Sequence, residues 1–152
     1  MSTTIKIGFY KNPYRFKIIH ALIRWWTKSI YSHVQICVGD VWYSAEPGGV
    51  VKFDKPKRPF AYDELDIALD VTDENLSKTV AFLEEQVGKG YDFTGIMLSQ
   101  ILPLEVDNRS RWFCSELTTK ALKLLGDPLV AGIKKSNSMS PGDLARLYGV
   151  EQ

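Results

Sequence analysis

Two β-rich runs on either side of Gly39-Asp40 constrain the fold of this chain more than any other feature. The first run covers about Ser32–Val38 and the second about Val41–Ala45. A two-residue loop that begins with glycine is typical of a tight β-hairpin. With this loop Val38 faces Val41, and the loop therefore fixes the register of the whole strand pair.

The two faces of this predicted hairpin differ in character, because side chains alternate along a strand. One face is apolar and is expected to join the core, and it carries Val34, Ile36, Val38, Val41, Tyr43 and Ala45. The opposite face combines polar, sulfur-containing and aromatic side chains, namely His33, Gln35, Cys37, Trp42, Ser44 and Glu46.

On the second face the register places a histidine against a carboxylate. Cys37 lies opposite Trp42, and His33 lies opposite Glu46. The Cβ atoms of opposed residues are about 4.5–5.5 Å apart, so Glu46 can reach the His33 imidazole. A carboxylate there fixes the ring tautomer and favours the imidazolium. The alternative is that this strand faces water and that the His33–Glu46 pair has no catalytic role. A register shift of one residue would also move Glu46 to the other face.

The rest of the chain reads as strands first and helices afterwards, which predicts an α+β domain with a small antiparallel sheet packed against helices. At 152 residues the chain fits a single domain over 1–152. Further strands are expected at Ile5–Tyr10, Val50–Phe53 and Glu64–Val71. Helices are expected at Arg15–Ser29, Glu74–Val87 after an Asp73 cap, Tyr91–Leu102, Trp112–Leu125 and, after a Ser140 cap, Leu144–Tyr148.

Cys114 is predicted to lie at the start of the helix Trp112–Leu125. Unpaired backbone N–H groups and the helix dipole favour an anion there, so a thiolate is stabilised, and a neighbouring imidazolium would stabilise it further. The same N–H groups suit an oxyanion. Cys114 and His33 are therefore a candidate nucleophile and base. The alternative is that Cys114 is an ordinary buried thiol.

Several stretches of the sequence resemble the circularly permuted NlpC-type papain-like hydrolases, which are related to lecithin retinol acyltransferase. The stretches are Tyr31–Val34, the hairpin with its Glu46–Val50 turn, Lys89–Gly95, Trp112–Leu117 and Ser140–Leu144. Histidine before cysteine is the order of the permuted form. The resemblance implies a permuted papain-like fold and cleavage of an amide or ester, with Cys114 as nucleophile and His33 as base. It also implies a polar third residue on the neighbouring strand, with Glu46 as first candidate and Ser44 as second.

The chain departs from the family pattern near its start, where Ile7-Gly8-Phe9-Tyr10 replaces the usual Gly-Asp pair. Such enzymes often place a tyrosine beside the cysteine, and Tyr10 or Tyr31 could occupy that position. The family occurs in bacteria and their phages. We expect a thiol hydrolase (a cysteine peptidase or amidase) acting on a peptide, a cell-wall peptide or an isopeptide. A thioesterase or acyltransferase with the same dyad, or a non-catalytic binding module, is the alternative.

Composition excludes several other classes. The net charge is +1 and the basic residues are scattered, so no nucleic-acid partner is expected. Two cysteines form no disulfide framework, and the His and Cys residues lack paired-ligand spacing, so neither a metal nor another cofactor is expected. No secretory signal or bilayer-spanning stretch is evident, which predicts a cytoplasmic location. The peptide-like or acyl substrate is what the family resemblance implies. The oligomeric state stays open.

Overall fold

The computed structural model describes residues 3–11, 24–25, 28–46, 48–55, 61–91, 111–112, 114–136 and 139–151. This part of the chain is α+β, with a five-stranded antiparallel sheet, a two-stranded parallel pair and four helices. The strands are β1 (Ile5–Tyr10), β2 (His33–Val38), β3 (Val41–Glu46), β4 (Gly49–Phe53), β5 (Tyr62–Ile67), β6 (Gly90–Tyr91) and β7 (Arg111–Trp112). The helices are α1 (Asp73–Gln86), α2 (Cys114–Leu125), α3 (Pro128–Ala131) and α4 (Pro141–Leu147).

The large sheet has the strand order β4-β3-β2-β1-β5, with antiparallel neighbours throughout. The predicted hairpin register is confirmed, since Val38 pairs with Val41 and Cys37 pairs with Trp42. Gly39 allows the tight turn because its φ of 66° lies in the left-handed region.

Both faces of the β2–β3 hairpin are buried. The apolar face packs against α1 and α2, and Val34, Ile36 and Tyr43 are at most 2% exposed. Most of the second face is buried as well, since Gln35 and Ser44 are each 1% exposed, although Glu46 at the end of β3 is only half-buried. The interpretation of this face as a solvated strand surface is therefore wrong. Its polar groups lie inside the protein, where each one needs a partner or destabilises the fold.

Two element boundaries, the start of α1 and the start of β5, differ from the sequence prediction. Thr72 rather than Asp73 caps α1, since the Thr72 backbone is extended and its hydroxyl accepts the Asn75 N–H. The last strand of the sheet is Tyr62–Ile67 and so begins earlier than expected, because its register follows β1. Of the predicted first helix, only Arg24 and Trp25 are both described and helical.

The prediction of a helix beginning at Tyr91 is wrong at its first residue, and residues 92–102 lie outside the described part of the chain. Tyr91 instead pairs in parallel with Trp112. This pairing takes Trp112 out of the following helix, so α2 begins at Cys114 itself. Gly126 ends α2 with a φ of 88°.

The start of α4 follows the sequence closely. Ser140 and Asp143 form the expected capping box at the start of α4. In addition, α4 and the residues after it hold the segment that leads into β2: Glu151 accepts the Ser29 hydroxyl and the Ile30 N–H. The start of β2 is thereby connected to a distant part of the sequence.

Candidate active site

Four polar or aromatic residues form a row at one end of the large sheet. Antiparallel pairing brings together the end of β1 (Tyr10), the start of β2 (His33), the end of β3 (Glu46) and the start of β5 (Tyr62). Tyr10 pairs with His33 on one side and with Tyr62 on the other. The pairing of β2 with β3 runs from Val38–Val41 to Ile36–Tyr43, and its register extended to this end of the sheet would set Glu46 opposite His33. We call these four residues the terminal row.

The start of α2 meets this end of the sheet. Cys114 is the first residue of α2 and is 3% exposed. Its sulfur lies within hydrogen-bond reach of the Val34 backbone N–H and of N–H groups at the helix start. Because Val34 directly follows His33, the structure brings the predicted nucleophile to the peptide unit adjoining the predicted base.

The Cys114 thiol is protonated at neutral pH. Burial raises its pKa to about 11, although the backbone N–H groups of Val34, Ser115 and Cys114 act in the opposite direction. The helix start thus contributes with the sign that the sequence predicts, but desolvation outweighs it. A nucleophilic role for this sulfur therefore needs a base that takes the proton during the reaction.

His33 is 8% exposed, and its Nε2 lies 2.7 Å from the Ser44 hydroxyl oxygen. A neutral imidazole has one donor and one acceptor nitrogen. When Nε2–H donates to Ser44, the lone pair is on Nδ1, which is then the nitrogen that can act as a base. The structure thus places the hydroxyl of Ser44, the second candidate for the polar residue that accompanies Cys114 and His33, within hydrogen-bond distance of the imidazole.

Glu46, the first candidate, is half-buried at the end of β3 and pairs with Gly49. In addition to burial, the negative charge of its carboxylate raises the pKa of Tyr62. Burial has the largest effect on this pKa, and Tyr10 and Cys114 raise it further. Tyr62 therefore stays protonated and lies close to both Glu46 and Cys114. Sequence reasoning did not select Tyr62, which only the β1–β5 register brings to this end of the sheet.

The two tyrosines suggested for a place beside the cysteine have different surroundings. The Tyr10 ring lies 5.1 Å from the Tyr62 ring, within the terminal row. Tyr31 instead donates its hydroxyl to Asp63 at 2.6 Å, and Asp63 also binds Lys11 at 2.5 Å. These contacts lower the Asp63 pKa despite partial burial, so its carboxylate is ionised. Tyr31 therefore anchors the residues before His33.

The second thiol offers a comparison within the same molecule. Cys37 is 3% exposed, like Cys114, and its sulfur donates to the Gly39 carbonyl at 3.2 Å. Burial raises its pKa to about 11, with Asp40 adding to this shift and Lys6 opposing it. Cys37 is a buried packing residue of β2. It matches Cys114 in exposure and pKa but lies four residues beyond His33 on β2.

Neither comparison with known proteins identifies a relative: no protein-family model matches this sequence, and no curated protein does. Within the described ranges, no group of three or more His, Cys, Asp or Glu side chains could hold a metal ion. Among the helices in those ranges, none is both long enough and apolar enough to cross a membrane.

Proposed function

We propose that this chain is a cysteine hydrolase of the permuted papain-like fold that cleaves an amide bond in a peptide, a cell-wall peptide or an isopeptide. Cys114 is the nucleophile, His33 is the base and Ser44 is the residue that positions the imidazole. The observation that carries the proposal is that the Cys114 sulfur lies at the N–H of Val34, the residue that directly follows His33, and that the His33 Nε2 lies 2.7 Å from the Ser44 hydroxyl oxygen.

The reaction follows from these groups. His33 Nδ1 takes the thiol proton while the sulfur attacks the carbonyl carbon, and backbone N–H groups at the start of α2 stabilise the oxyanion. The imidazolium then protonates the leaving nitrogen as the C–N bond breaks, which leaves a thioester on Cys114. Water attacks this thioester with His33 again as base, and the acid is released as the thiol re-forms.

The raised pKa of Cys114 supports base catalysis rather than a resting thiolate–imidazolium pair. At a pKa of about 11, only a very small fraction of the thiol is ionised at neutral pH. Proton transfer to a positioned base typically contributes a factor of about 10²–10⁴ in rate. We therefore expect the reactivity of this sulfur to depend strongly on His33.

Alkylation by iodoacetamide at pH 7.5 tests the proposal, with Cys37 as the matched control. Both thiols are 3% exposed and have a pKa of about 11, so without a base they should react at similar rates. We expect Cys114 to react about 100-fold faster, as measured by mass spectrometry of the two cysteine peptides. His33→Ala should remove that difference. Equal rates for the two thiols of the native chain would contradict the dyad.

The choice between amide and ester cleavage needs a separate measurement. A peptide amide and an acyl thioester are offered to the native chain and to Cys114→Ala. Turnover of the amide that is lost in the variant supports the proposal, whereas turnover of the thioester alone indicates the thioesterase or acyltransferase alternative. Without turnover of either compound and without faster alkylation of Cys114, the chain would be a binding module.

A further inference from the structure

A buried amide group without partners lies on the same face as His33. Gln35 is 1% exposed, and neither its Nε2 nor its Oε1 has a hydrogen-bond partner in the part of the chain that the structure describes. The hydroxyls of Thr118 and Thr119 in α2 are also buried without partners in this part of the chain. An unpaired buried amide destabilises a fold, so its presence calls for another reason.

The position of Gln35 relates this amide to the candidate active site. Gln35 is two residues beyond His33 on β2, about 6.6 Å along the strand. The register that pairs Ile36 with Tyr43 places Ser44 beside it across the hairpin. The amide is therefore one side-chain position away from the His33–Ser44 pair.

Gly8 on β1 provides the space that this amide occupies. A Cβ atom at Gly8 would lie 3.1 Å from the Gln35 Cγ, 3.2 Å from its Nε2 and 3.2 Å from the Trp42 ring. A glycine inside a strand weakens the strand and often marks a place where another group approaches closely. Because residue 8 is glycine, no side chain occupies the space next to the Gln35 amide.

We infer that the Gln35 amide binds an amide group of the substrate, next to the acyl carbon that Cys114 attacks, as in an N-acylaminoacyl (peptide) group. A primary amide offers both a donor and an acceptor, which complement the C=O and N–H of a peptide unit. This inference deepens the proposed function and rests on it. Because Gln35 and Trp42 are both shielded from water and lie together at Gly8, the Trp42 ring has to move when the substrate group binds.

Two esters with acyl chains of equal length test the inference: 4-nitrophenyl N-acetylglycinate, which has an amide, and 4-nitrophenyl pentanoate, which has none. Attack by Cys114 breaks the C–O bond of either ester and releases 4-nitrophenolate. The measured quantity is the ratio of the two kcat/KM values in the native chain, divided by the same ratio in a variant. Intrinsic differences in ester reactivity cancel in this quotient.

Gln35→Met removes the amide at nearly constant volume. We expect the preference for the amide-containing ester to fall about 10-fold to 100-fold, with little change for the pentanoate. The melting temperature should rise, because an unpaired amide has been removed. Gly8→Ala, which presses on the same amide, should lower the preference while leaving Gln35 in the sequence. An unchanged preference in both variants would overturn the inference.

Gln86→Met is the matched control. Gln86 is 3% exposed, but its amide donates to the Phe82 carbonyl at 3.1 Å and accepts from Lys89 at 2.8 Å. This variant should melt at a lower temperature and keep the native preference. Iodoacetamide separates the two proposals, since alkylation of Cys114 needs no substrate amide. If Cys114 is alkylated fast but the preference for the amide-containing ester is unchanged in the variants, only the role of Gln35 is rejected. If Cys114 of the native chain is alkylated no faster than Cys37, the proposed hydrolase is rejected.

Discussion

The buried thiol of Cys114 makes the stability of the protein depend on pH in a way that can be measured. In the folded chain its pKa is raised from 9.0 to about 11 by burial. Between these values the unfolded chain loses the thiol proton and the native chain keeps it, so the native state binds more protons. The unfolding free energy therefore falls as the pH rises through this range. The stabilising contribution of the protonated Cys114 thiol is fully present below pH 9.

The magnitude follows from the same pKa values. A tenfold change in an equilibrium constant corresponds to about 1.4 kcal/mol, so a hundredfold change in acidity corresponds to about 3 kcal/mol. About 2 kcal/mol of this is lost by pH 11, where half of the native thiol is ionised. The assay is urea unfolding between pH 7.5 and 11, with Cys37→Ala as the parent so that a single thiol titrates.

Adding Cys114→Ala to this parent should remove that loss. Tyrosines also titrate at high pH, but they are present in both proteins and cancel in the difference. The reasoning is refuted if the two stability curves stay parallel from pH 8 to 11. A resting thiolate held by His33 would give the opposite sign, because the parent would then gain stability relative to the variant as the pH rises towards 9.

Three further substitutions test separate features of the structure. Ser44→Ala should lower the alkylation rate of Cys114 about tenfold and the unfolding free energy by about 1 kcal/mol. Glu46→Gln should leave both quantities near their native values. The reverse pattern would make Glu46 the positioning residue. Gly49→Ala should cost about 2 kcal/mol or more in urea unfolding, because its φ is 132° and its Cβ would meet a backbone carbonyl at 2.8 Å. Gly48→Ala, with open space around it, should cost less. Ser140→Ala should cost about 1 kcal/mol through loss of its cap, and an unchanged unfolding free energy would show that this cap contributes nothing.

The sequence contains enough information to predict the hairpin because local rules act in the same direction there. Alternating side chains define the two faces, and Gly39 sets the loop, so the pairing of Cys37 with Trp42 follows. The Ser140 cap of the last helix is local in the same sense. The strand Ile5–Tyr10 was likewise predicted with its observed bounds.

Features that depend on long-range contacts did not follow from the sequence. The parallel pairing of Tyr91 with Trp112 joins two very short strands that carry no local signal. The predicted register sets Glu46 opposite His33, but the β2–β3 pairing ends at Ile36–Tyr43 and the Ser44 hydroxyl lies 2.7 Å from the imidazole. Register alone does not determine a rotamer. The depth at which Cys114 is buried depends on how α2 packs against β2, which the motif around the cysteine does not encode.

The contacts of Glu151 with Ser29 and Ile30 tie the approach to β2 to the residues that follow α4. Fluctuations that detach the last helix should therefore also release the residues just before His33, and the two segments should exchange their amide hydrogens as one cooperative unit. During synthesis this connection can close only after Glu151 has been made, since it joins residues that are more than a hundred positions apart. A chain that has not yet reached Glu151 thus lacks the contacts that hold the residues just before His33.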